Sequence, residues 1–238
     1  MFLNKYKVIG VLGGMGPEAT VDLYNHIINI TPASRDQDHI PALIFSNPKI
    51  PDRTASINAA ESEKIILYLQ ESARILEKGG ADFIVIPCNT SHKFFKEIQE
   101  VAGIPVVNMI EETVKFIIES FSGVKEVGLL ATSGTLKTEL YQEYLKRHSI
   151  TAVIPDENIQ NEYVMKAIYD FIKAGKDINH AEKLLKEAIK SLKKPAQEKV
   201  IMGCTEIPLA LKESYDDVTL INPTKILAGI AVKQSLGT

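Results

Sequence analysis

The sequence predicts an α/β protein of two similar, doubly wound domains with parallel sheets, related by a pseudo-twofold axis. Short apolar, β-branched runs alternate with longer segments of helical periodicity, as in parallel sheets buried on both faces. Residues 8–16 align with residues 126–134 at an offset of 118 (128 − 10). Cys88 and Cys204, the only cysteines, follow matching apolar runs at an offset of 116 (204 − 88). The near-equal offsets favour an internal repeat over chance similarity.

The first half has the pattern of strands joined by helices. Pro17 suits the first turn of a helix, and Pro87 ends a strand because it cannot donate to a sheet ladder. The proline-rich segment 47–54 is predicted to be a loop after a strand. We expect strands over 8–12, 42–46, 82–86 and 104–107, and helices over 17–31, 55–79, 91–102 and 110–121.

The second half repeats this alternation. We expect strands over 125–131, 151–154, 199–202 and 219–222, and helices over 135–147, 157–174, 179–193 and from 223 onward. Pro223 opens the terminal helix, which we expect to pack back on the first domain. The predicted domains are therefore residues 1–108 with 214–238, and residues 109–213.

Composition and charge exclude several classes of partner. The net charge is −3, with Lys and Glu mixed along helical faces, so we expect neither nucleic acid nor anionic lipid as a partner. Apolar runs are broken within about 10 residues, whereas a membrane span needs about 20. The start of the chain lacks a signal-peptide cleavage region. Two cysteines without a disulfide framework fit a reducing compartment, so a cytoplasmic location is expected.

Two cysteines at matching strand ends can perform acid–base chemistry. Ligands bind at the carboxyl edge of open α/β sheets, so a pseudo-twofold would bring Cys88 and Cys204 to one cleft from opposite sides. A thiol of pKa about 8.5 is a base when ionised and an acid when protonated. Such a pair can invert a stereocentre that bears an acidic C–H. Side-chain donors predicted to hold the resulting anion are Asn89, Thr90, Ser91, Thr132, Ser133, Thr135 and Thr205.

Other interpretations of these residues stay open. A cysteine after a buried strand is often a core residue, and a disulfide needs close Cα atoms and an oxidising compartment. Cys88 and His92 are too few ligands for a metal site, so no metal is expected. Gly14-x-Gly16-x-x-Ala19 fits a dinucleotide fingerprint, but the next strand ends without the acidic residue that would hold a ribose.

Five motifs resemble the aspartate/glutamate racemase family, and aspartate racemases most closely within it. They are Leu-Gly-Gly-Met-Gly-Pro at 12–17, Pro-Asp-Arg-Thr at 51–54, Pro-Cys-Asn-Thr at 87–90, Thr-Ser-Gly-Thr at 132–135 and Gly-Cys-Thr-Glu at 203–206. The resemblance implies racemisation without pyridoxal phosphate, metal or other cofactor, two α/β domains and a homodimer. It also implies that Cys204 works on the L-enantiomer and Cys88 on the D-enantiomer.

The resemblance also implies which residues select the substrate. Arg53 would bind a side-chain carboxylate, a group that guanidinium can grip bidentately, and Lys173 would assist it. Glutamate racemases carry His after Gly-Cys-Thr, whereas this chain has Glu206, which favours aspartate. The expected partner is a small acidic amino acid. Further residues predicted to line the site are Met15, Asp52 and Thr54.

Three alternatives to an aspartate racemase stay open at the level of sequence. Glutamate, or a broader range of amino acids, would suit the same family. Hydantoin racemisation also uses two cysteines, while maleate isomerisation and malonate decarboxylation use related folds; Arg53 and Lys173 argue for a dicarboxylic substrate and against hydantoins. A protein that only binds or senses an acidic amino acid is the non-enzymatic alternative, although binding alone needs neither thiol.

Overall fold

The computed structural model describes residues 6–54, 59–212 and 214–237. It is an α/β structure with two parallel sheets, which confirms the predicted fold class. The chain divides into two compact units, Met1–Glu112 with Thr224–Thr238, and Thr113–Pro223. Within the described ranges, no helix combines the length and the apolar character that crossing a membrane requires.

The strands and helices follow one another along the chain as the alternating pattern predicts. The strands are β1 (Ile9–Gly13), β2 (Ala42–Ser46), β3 (Phe83–Val85), β4 (Glu126–Leu130), β5 (Thr151–Val153), β6 (Lys199–Met202) and β7 (Thr219–Ile221). The α-helices are α1 (Pro17–Ile30), α2 (Ala59–Lys78), α3 (Phe95–Val101), α4 (Met109–Ser120), α5 (Ser133–Lys137), α6 (Leu140–Lys146), α7 (Glu157–Ile159), α8 (Ile178–Ser191), α9 (Ile207–Ala210) and α10 (Pro223–Leu236).

The sheet of the first unit has β1 in its centre, between β2 and β3. All pairings are parallel, with Gly10 opposite both Leu43 and Ile84. The strand predicted over 104–107 is wrong in extent, because Val106 joins the sheet only through a single bridge to Ile84. Pro105 has no N–H group, so a regular ladder cannot run through it.

Helices cover both faces of this sheet because its strands alternate their side chains between two apolar clusters. Ile9 and Val11 pack with Leu23 of α1 and Leu227 of α10. Leu12 packs on the opposite face, in a cluster that also contains side chains of α2 and α3. Each large side chain buried in this way contributes about 1.5–3 kcal/mol. The strand ends are thereby held in fixed places between two helical layers.

The sheet of the second unit has the strand order β5-β4-β6-β7. In this order β4, β5 and β6 hold the places that β1, β2 and β3 hold in the first sheet. The close approach of β6 to β4 requires Gly203, where an added Cβ would lie 2.8 Å from Cδ1 of Leu129 and 3.0 Å from Cβ of Ala131. Cys88 and Cys204 therefore follow topologically equivalent strands.

Two helices predicted in the second unit differ from expectation. The predicted helix over 157–174 contains one turn of α-helix, α7, and then π-helical turns over Gln160–Met165 and Ala167–Ile172. Such turns are rare and are frequent at functional sites. The predicted helix over 135–147 is interrupted at Glu139, whose φ of 53° lies in the left-handed region. A left-handed residue breaks the α-helical hydrogen-bond pattern, so α5 and α6 are separate.

Candidate active site

Cys88 follows β3 in the first unit, on a turn whose backbone is held on both sides. The residue is 5% exposed. Its amide donates to the carbonyl oxygen of Ile86 at 2.8 Å, closing a tight turn across Pro87. Its carbonyl oxygen lies 2.9 Å from Nδ1 of His92. Within the described part of the chain the thiol belongs to no disulfide, so it is the group of Cys88 that is left for chemistry.

The polar residues after Cys88 are buried and connect this turn to the one after β1. Asn89 and Thr90 are 2% and 8% exposed. The hydroxyl of Ser91 donates to Sδ of Met15 at 3.1 Å. The contact between Ser91 and Met15 joins the turns after β3 and β1 in the first unit, and Asn89 and Thr90 lie directly before Ser91 in the chain.

The turn after β1 is closed by its own hydrogen bonds. Gly14 has φ of +92°, and a Cβ atom there would lie 2.4 Å from the backbone nitrogen of Asn47. Its amide donates to Oγ1 of Thr20 at 2.8 Å. In a dinucleotide-binding protein, amides of this turn would face a pyrophosphate. Here the Gly14 amide is already occupied, which adds to the missing acidic residue as an argument against that alternative.

Arg53 lies in the loop after β2 and donates to backbone carbonyls. Its Nη1 lies 3.0 Å from the carbonyl oxygen of Pro51, and its Nη2 lies 3.1 Å from that of Met15. The neighbouring Asp52 accepts a hydrogen bond from the Thr54 amide at 2.7 Å. The guanidinium therefore fastens its loop to the turn after β1, so that Arg53 and Met15 are neighbours.

Cys204 follows β6 in the second unit and is bonded directly to a carboxylate. It is 6% exposed, and its thiol donates to Oε2 of Glu206 at 2.9 Å. The hydroxyl of Thr205 lies 3.4 Å from the same oxygen. Glu206 is itself 4% exposed, so its contact with the thiol is shielded from water.

Lys173 forms an ion pair with this carboxylate. Its Nζ lies 3.9 Å from Oε1 of Glu206 and 4.6 Å from the ring centroid of Tyr169. Its side chain is 25% exposed, whereas that of Glu206 is 5% exposed. Lys173 is thus joined to Cys204 through Glu206, with its ammonium group at the more exposed end of the chain of contacts.

The surroundings of Cys204 favour the protonated thiol. Burial raises the pKa of the Cys204 thiol well above its usual value, and the negative charge of Glu206 raises it further. Lys173 acts in the opposite direction, because a cation stabilises a thiolate. The thiol at this strand end is therefore a proton donor at neutral pH in the absence of a ligand.

The predicted hydroxyl residues after β4 form a second cluster in this unit. Thr132 caps α5 by accepting a hydrogen bond from the Thr135 amide at 3.3 Å. The Ser133 amide donates to Sδ of Met165 at 3.3 Å. Both threonines are buried, so they shape the strand end as well as offering polar groups.

The structure adds Gln160 and Met165 to the residues that the sequence singled out. Gln160 donates from Nε2 to the carbonyl oxygen of Ala131 at 2.9 Å and to Oγ of Ser133 at 3.3 Å. Among the described residues its Oε1 is buried without a hydrogen-bond partner. The sequence pattern does indicate Gln160 as a candidate, because this residue shares a helical face with Val164, Ala167 and Ile168. A polar residue is unexpected on such an apolar face.

A metal site would need several His, Cys, Asp or Glu side chains close together. Over residues 6–54, 59–212 and 214–237, no three His, Cys, Asp or Glu side chains are grouped so that they could hold an ion. His92, the residue that forms a Cys-x3-His pattern with Cys88, is instead bonded to backbone groups through both ring nitrogens.

Comparison with known proteins gives matches along nearly the full length. The chain is 29% identical over 236 residues to the broad-specificity amino-acid racemase RacX of Bacillus subtilis (strain 168), covering 96% of this chain and 98% of that protein. An aspartate racemase from Picrophilus torridus superposes with a TM-score of 0.80 at 31% identity, over 95% of this chain and 93% of that one.

A third relative also matches over nearly the whole length of this chain. An aspartate racemase homologue from Pyrococcus horikoshii superposes with a TM-score of 0.76 at 27% identity, over 95% of this chain and 98% of that one. The sequence profile described as Asp/Glu/Hydantoin racemase matches residues 12–231. That range includes both strand-end cysteines and the residues around them. The chain belongs to the Asp/Glu/hydantoin racemase family.

Proposed function

We propose that this protein interconverts L- and D-aspartate without a cofactor, using Cys88 and Cys204 as its two proton-transfer groups. The observation that carries the proposal is the equivalence of the two thiols. Cys88 follows β3, which pairs with β1, and Cys204 follows β6, which pairs in the same way with β4; both lie at the carboxyl edge of a parallel sheet, where ligands bind. A protein with a single catalytic thiol would not need the second one at the matching place.

The proposed reaction is proton exchange at the α-carbon. A thiolate removes the Cα proton and becomes a thiol, and the C–H electron pair is delocalised into the substrate carboxylate. The opposite thiol then gives its proton to the other face of the α-carbon and becomes the thiolate. No proton or electron is gained or lost overall, so the enzyme emerges ready for the reverse reaction.

The anion formed in this reaction needs donors, and each unit offers them near its thiol. Asn89, Thr90 and Ser91 follow Cys88, while Thr205 follows Cys204. A preorganised donor at a developing negative charge can contribute about 2.7–4 kcal/mol, as for one oxyanion-hole donor. The substrate ammonium needs acceptors instead, and Oε1 of Gln160 is a buried acceptor without a partner among the described residues. We assign Gln160 to the ammonium end of the substrate.

We assign the side-chain carboxylate of the substrate to Arg53 and Lys173. Arg53 is held beside Met15 through its carbonyl contacts, and Lys173 is partly exposed. The aspartate racemase from Picrophilus torridus supports aspartate as the first substrate to test. Lys173 can serve both Glu206 and a substrate, because an ammonium group has three donors.

A broader substrate range is the second candidate, and one observation favours it. RacX of Bacillus subtilis, which matches over 96% of this chain, is described as a broad-specificity amino-acid racemase. Glutamate belongs to the same test, since it differs from aspartate by one methylene group. A purely binding or sensing role is less well supported, because it leaves both thiols without use.

Assembly as a homodimer in the cytoplasm is a further part of this proposal, and light scattering after gel filtration would test the dimer.

The experiment that tests the function is a proton NMR time course in D2O. Purified protein with a reductant and without added pyridoxal phosphate is mixed with L-aspartate, and the products are separated by chiral chromatography. We expect the Cα proton signal to disappear while D-aspartate accumulates. Parallel samples with L-glutamate and L-alanine separate an acidic substrate preference from a broad range.

The possible outcomes of this experiment distinguish the candidates. Exchange with inversion of aspartate alone supports the narrow proposal, whereas inversion of all three amino acids supports the broad one. Exchange without inversion would show that one thiol acts without its partner. A folded, reduced protein that exchanges none of the three would contradict the proposed acidic amino-acid substrate.

A further inference from the structure

His92 makes contacts that the proposed reaction does not use. It is 4% exposed and lies in the 3-10 turn Thr90–Phe94, directly after Cys88. Its Nδ1 lies 2.9 Å from the carbonyl oxygen of Cys88, and its Nε2 lies 3.1 Å from the amide nitrogen of Met109. We propose that His92 is a positioning residue that fixes the Cys88 thiol by binding the backbone of that residue.

The contact with the Met109 amide assigns the proton of the ring to one nitrogen. An amide can only donate, so Nε2 must accept from the Met109 amide and carries no hydrogen. Nδ1 is then the protonated nitrogen, and it donates to the Cys88 carbonyl. Burial lowers the pKa of His92 below its usual value, so the ring stays neutral and keeps this arrangement at neutral pH.

The consequence for Cys88 is a backbone that is held from both sides. Its amide is bonded to Ile86 at 2.8 Å, and its carbonyl oxygen is bonded to His92. With both neighbouring peptide groups fixed, the direction of the Cα–Cβ bond is fixed, and the thiol can move only about χ1. Proton transfer requires such control, because a displacement of about 1 Å can cost roughly 100-fold in rate.

The other end of His92 is anchored to the start of a helix. Met109 is the first residue of α4, so its amide is among the groups that have no partner inside the helix. The Asn108 side chain accepts from the next two amides, those of Ile110 at 3.1 Å and Glu111 at 3.2 Å. His92 thus completes the capping of α4 and uses that helix as the fixed point for the cysteine turn.

A positioning role for His92 and a role in core packing alone lead to different expected results. Two substitutions distinguish these two roles. His92→Asn places an amide nitrogen two bonds from Cβ, where Nδ1 stands, so it can still donate to the Cys88 carbonyl. His92→Gln places an amide oxygen three bonds from Cβ, where Nε2 stands, so it can accept from Met109 but cannot reach the Cys88 carbonyl in the same way. Each variant loses one hydrogen bond, so we expect similar falls in melting temperature.

The readout is the alkylation rate of each cysteine in the native protein, followed by mass spectrometry with iodoacetamide. In His92→Gln we expect Cys88 to react about fivefold faster, because loss of a hydrogen bond makes the buried turn open more often. In His92→Asn we expect a rate within about threefold of the original protein. Cys204 serves as the internal control, and its rate should stay unchanged in both variants.

Enzymatic activity supplies a second readout, and the two readouts test separate claims. The positioning role depends on the proposed function only in that Cys88 must be catalytic, and alkylation needs no substrate. We expect kcat/KM to fall by about 10- to 100-fold in His92→Gln and by much less in His92→Asn. Equal alkylation rates of Cys88 in the two variants, or equal acceleration of Cys204, would overturn the positioning role. Absence of racemisation in the original protein would instead count against the proposed function.

Discussion

The two cysteines follow equivalent strands, yet their surroundings differ in kind. The turn of Cys88 is held through its backbone, by Ile86 on one side and by the neutral ring of His92 on the other. At the other strand end, the thiol of Cys204 is itself bonded, at 2.9 Å, to the carboxylate of Glu206. The first arrangement fixes where the sulfur is, and the second controls the charge that the sulfur carries.

This difference indicates how a symmetric reaction can run on two unlike thiols. The proposed two-base reaction needs one thiol and one thiolate, and unequal surroundings decide which cysteine holds the proton at rest. Glu206 disfavours a thiolate on Cys204, so in the proposed reaction Cys204 holds its proton at rest. Because the equilibrium constant between enantiomers is unity, any substitution must change kcat/KM equally in both directions. The asymmetry must therefore be tested on the thiols themselves.

The largest expected effect comes from removing either sulfur. We predict that Cys88→Ala and Cys204→Ala each lower racemisation of aspartate by at least about 100-fold, since a positioned acid or base contributes about 100- to 10,000-fold. Chiral chromatography measures the loss, and circular dichroism checks that the fold survives. Both side chains are small, so the fold should tolerate the change.

Solvent exchange sharpens this test by separating the two faces of the substrate. If each thiol serves one face, each variant should retain slow exchange of the Cα proton for deuterium with one enantiomer only, and the two variants should retain opposite ones. A loss of less than tenfold in either variant would remove that cysteine from the two-base assignment.

The next effect in size concerns Arg53, which belongs to the first unit. We predict that Arg53→Ala raises the KM for aspartate by about 10- to 100-fold, as a charge-assisted hydrogen bond contributes about 1.5–3 kcal/mol. Arg53→Lys keeps the charge but cannot bind a carboxylate bidentately, so it should recover only part of the affinity. Initial rates over a range of aspartate concentrations give the KM and kcat values.

A matched measurement guards this prediction against a structural effect. Arg53 also donates to the carbonyls of Pro51 and Met15, so its loss loosens a loop. If the protein also racemises alanine, which has no side-chain carboxylate, the same variants should leave the KM for alanine nearly unchanged. A loosened loop would instead raise the KM for alanine as well as that for aspartate. An unchanged KM for aspartate would remove Arg53 from the substrate site.

Much of the fold and the strand-end cysteines could be predicted from local sequence. Pro87 and Gly203 mark the ends of buried apolar runs, and chain topology brings such ends to one edge of each sheet. The strand at 104–107 was overestimated because the apolar pattern outweighed Pro105, which allows only one bridge. Apolar periodicity also predicted helix over 157–174, but it carries no information about the π-helical turns.

The contacts around the thiols could not be predicted in the same way. The spacing of His92 from Cys88 provides too few ligands for a metal site, and it gives no indication of Met109, which lies 17 residues away and supplies the amide bound by His92. Glu206 was predicted to line the substrate site, and its direct contact with Cys204 depends on the conformation of the turn between them. Such contacts depend on the tertiary fold, which sequence periodicity does not predict.

The smallest expected effect tests the charge difference itself, through the pH dependence of alkylation. Glu206→Gln removes a negative charge bonded to the Cys204 thiol, so the thiol pKa should fall. At a given pH below that pKa the thiolate fraction rises as the pKa falls, and we predict that alkylation of Cys204 becomes about tenfold faster. Cys88 reacts in the same sample and should keep its pH profile.

Lys173→Met should shift the pKa of the Cys204 thiol in the opposite direction, which makes the test more specific. Lys173 stabilises the thiolate of Cys204, so losing its charge should raise the thiol pKa and slow alkylation, by less than the Glu206 effect because Nζ lies 3.9 Å from the carboxylate rather than against the sulfur. Opposite shifts at Cys204 with none at Cys88 would establish that Glu206 and Lys173 set the charge of one thiol. Shifts of the same sign in both variants, or equal shifts at both cysteines, would mean that loosened packing rather than charge controls reactivity. In that case the two strand ends would differ in geometry alone.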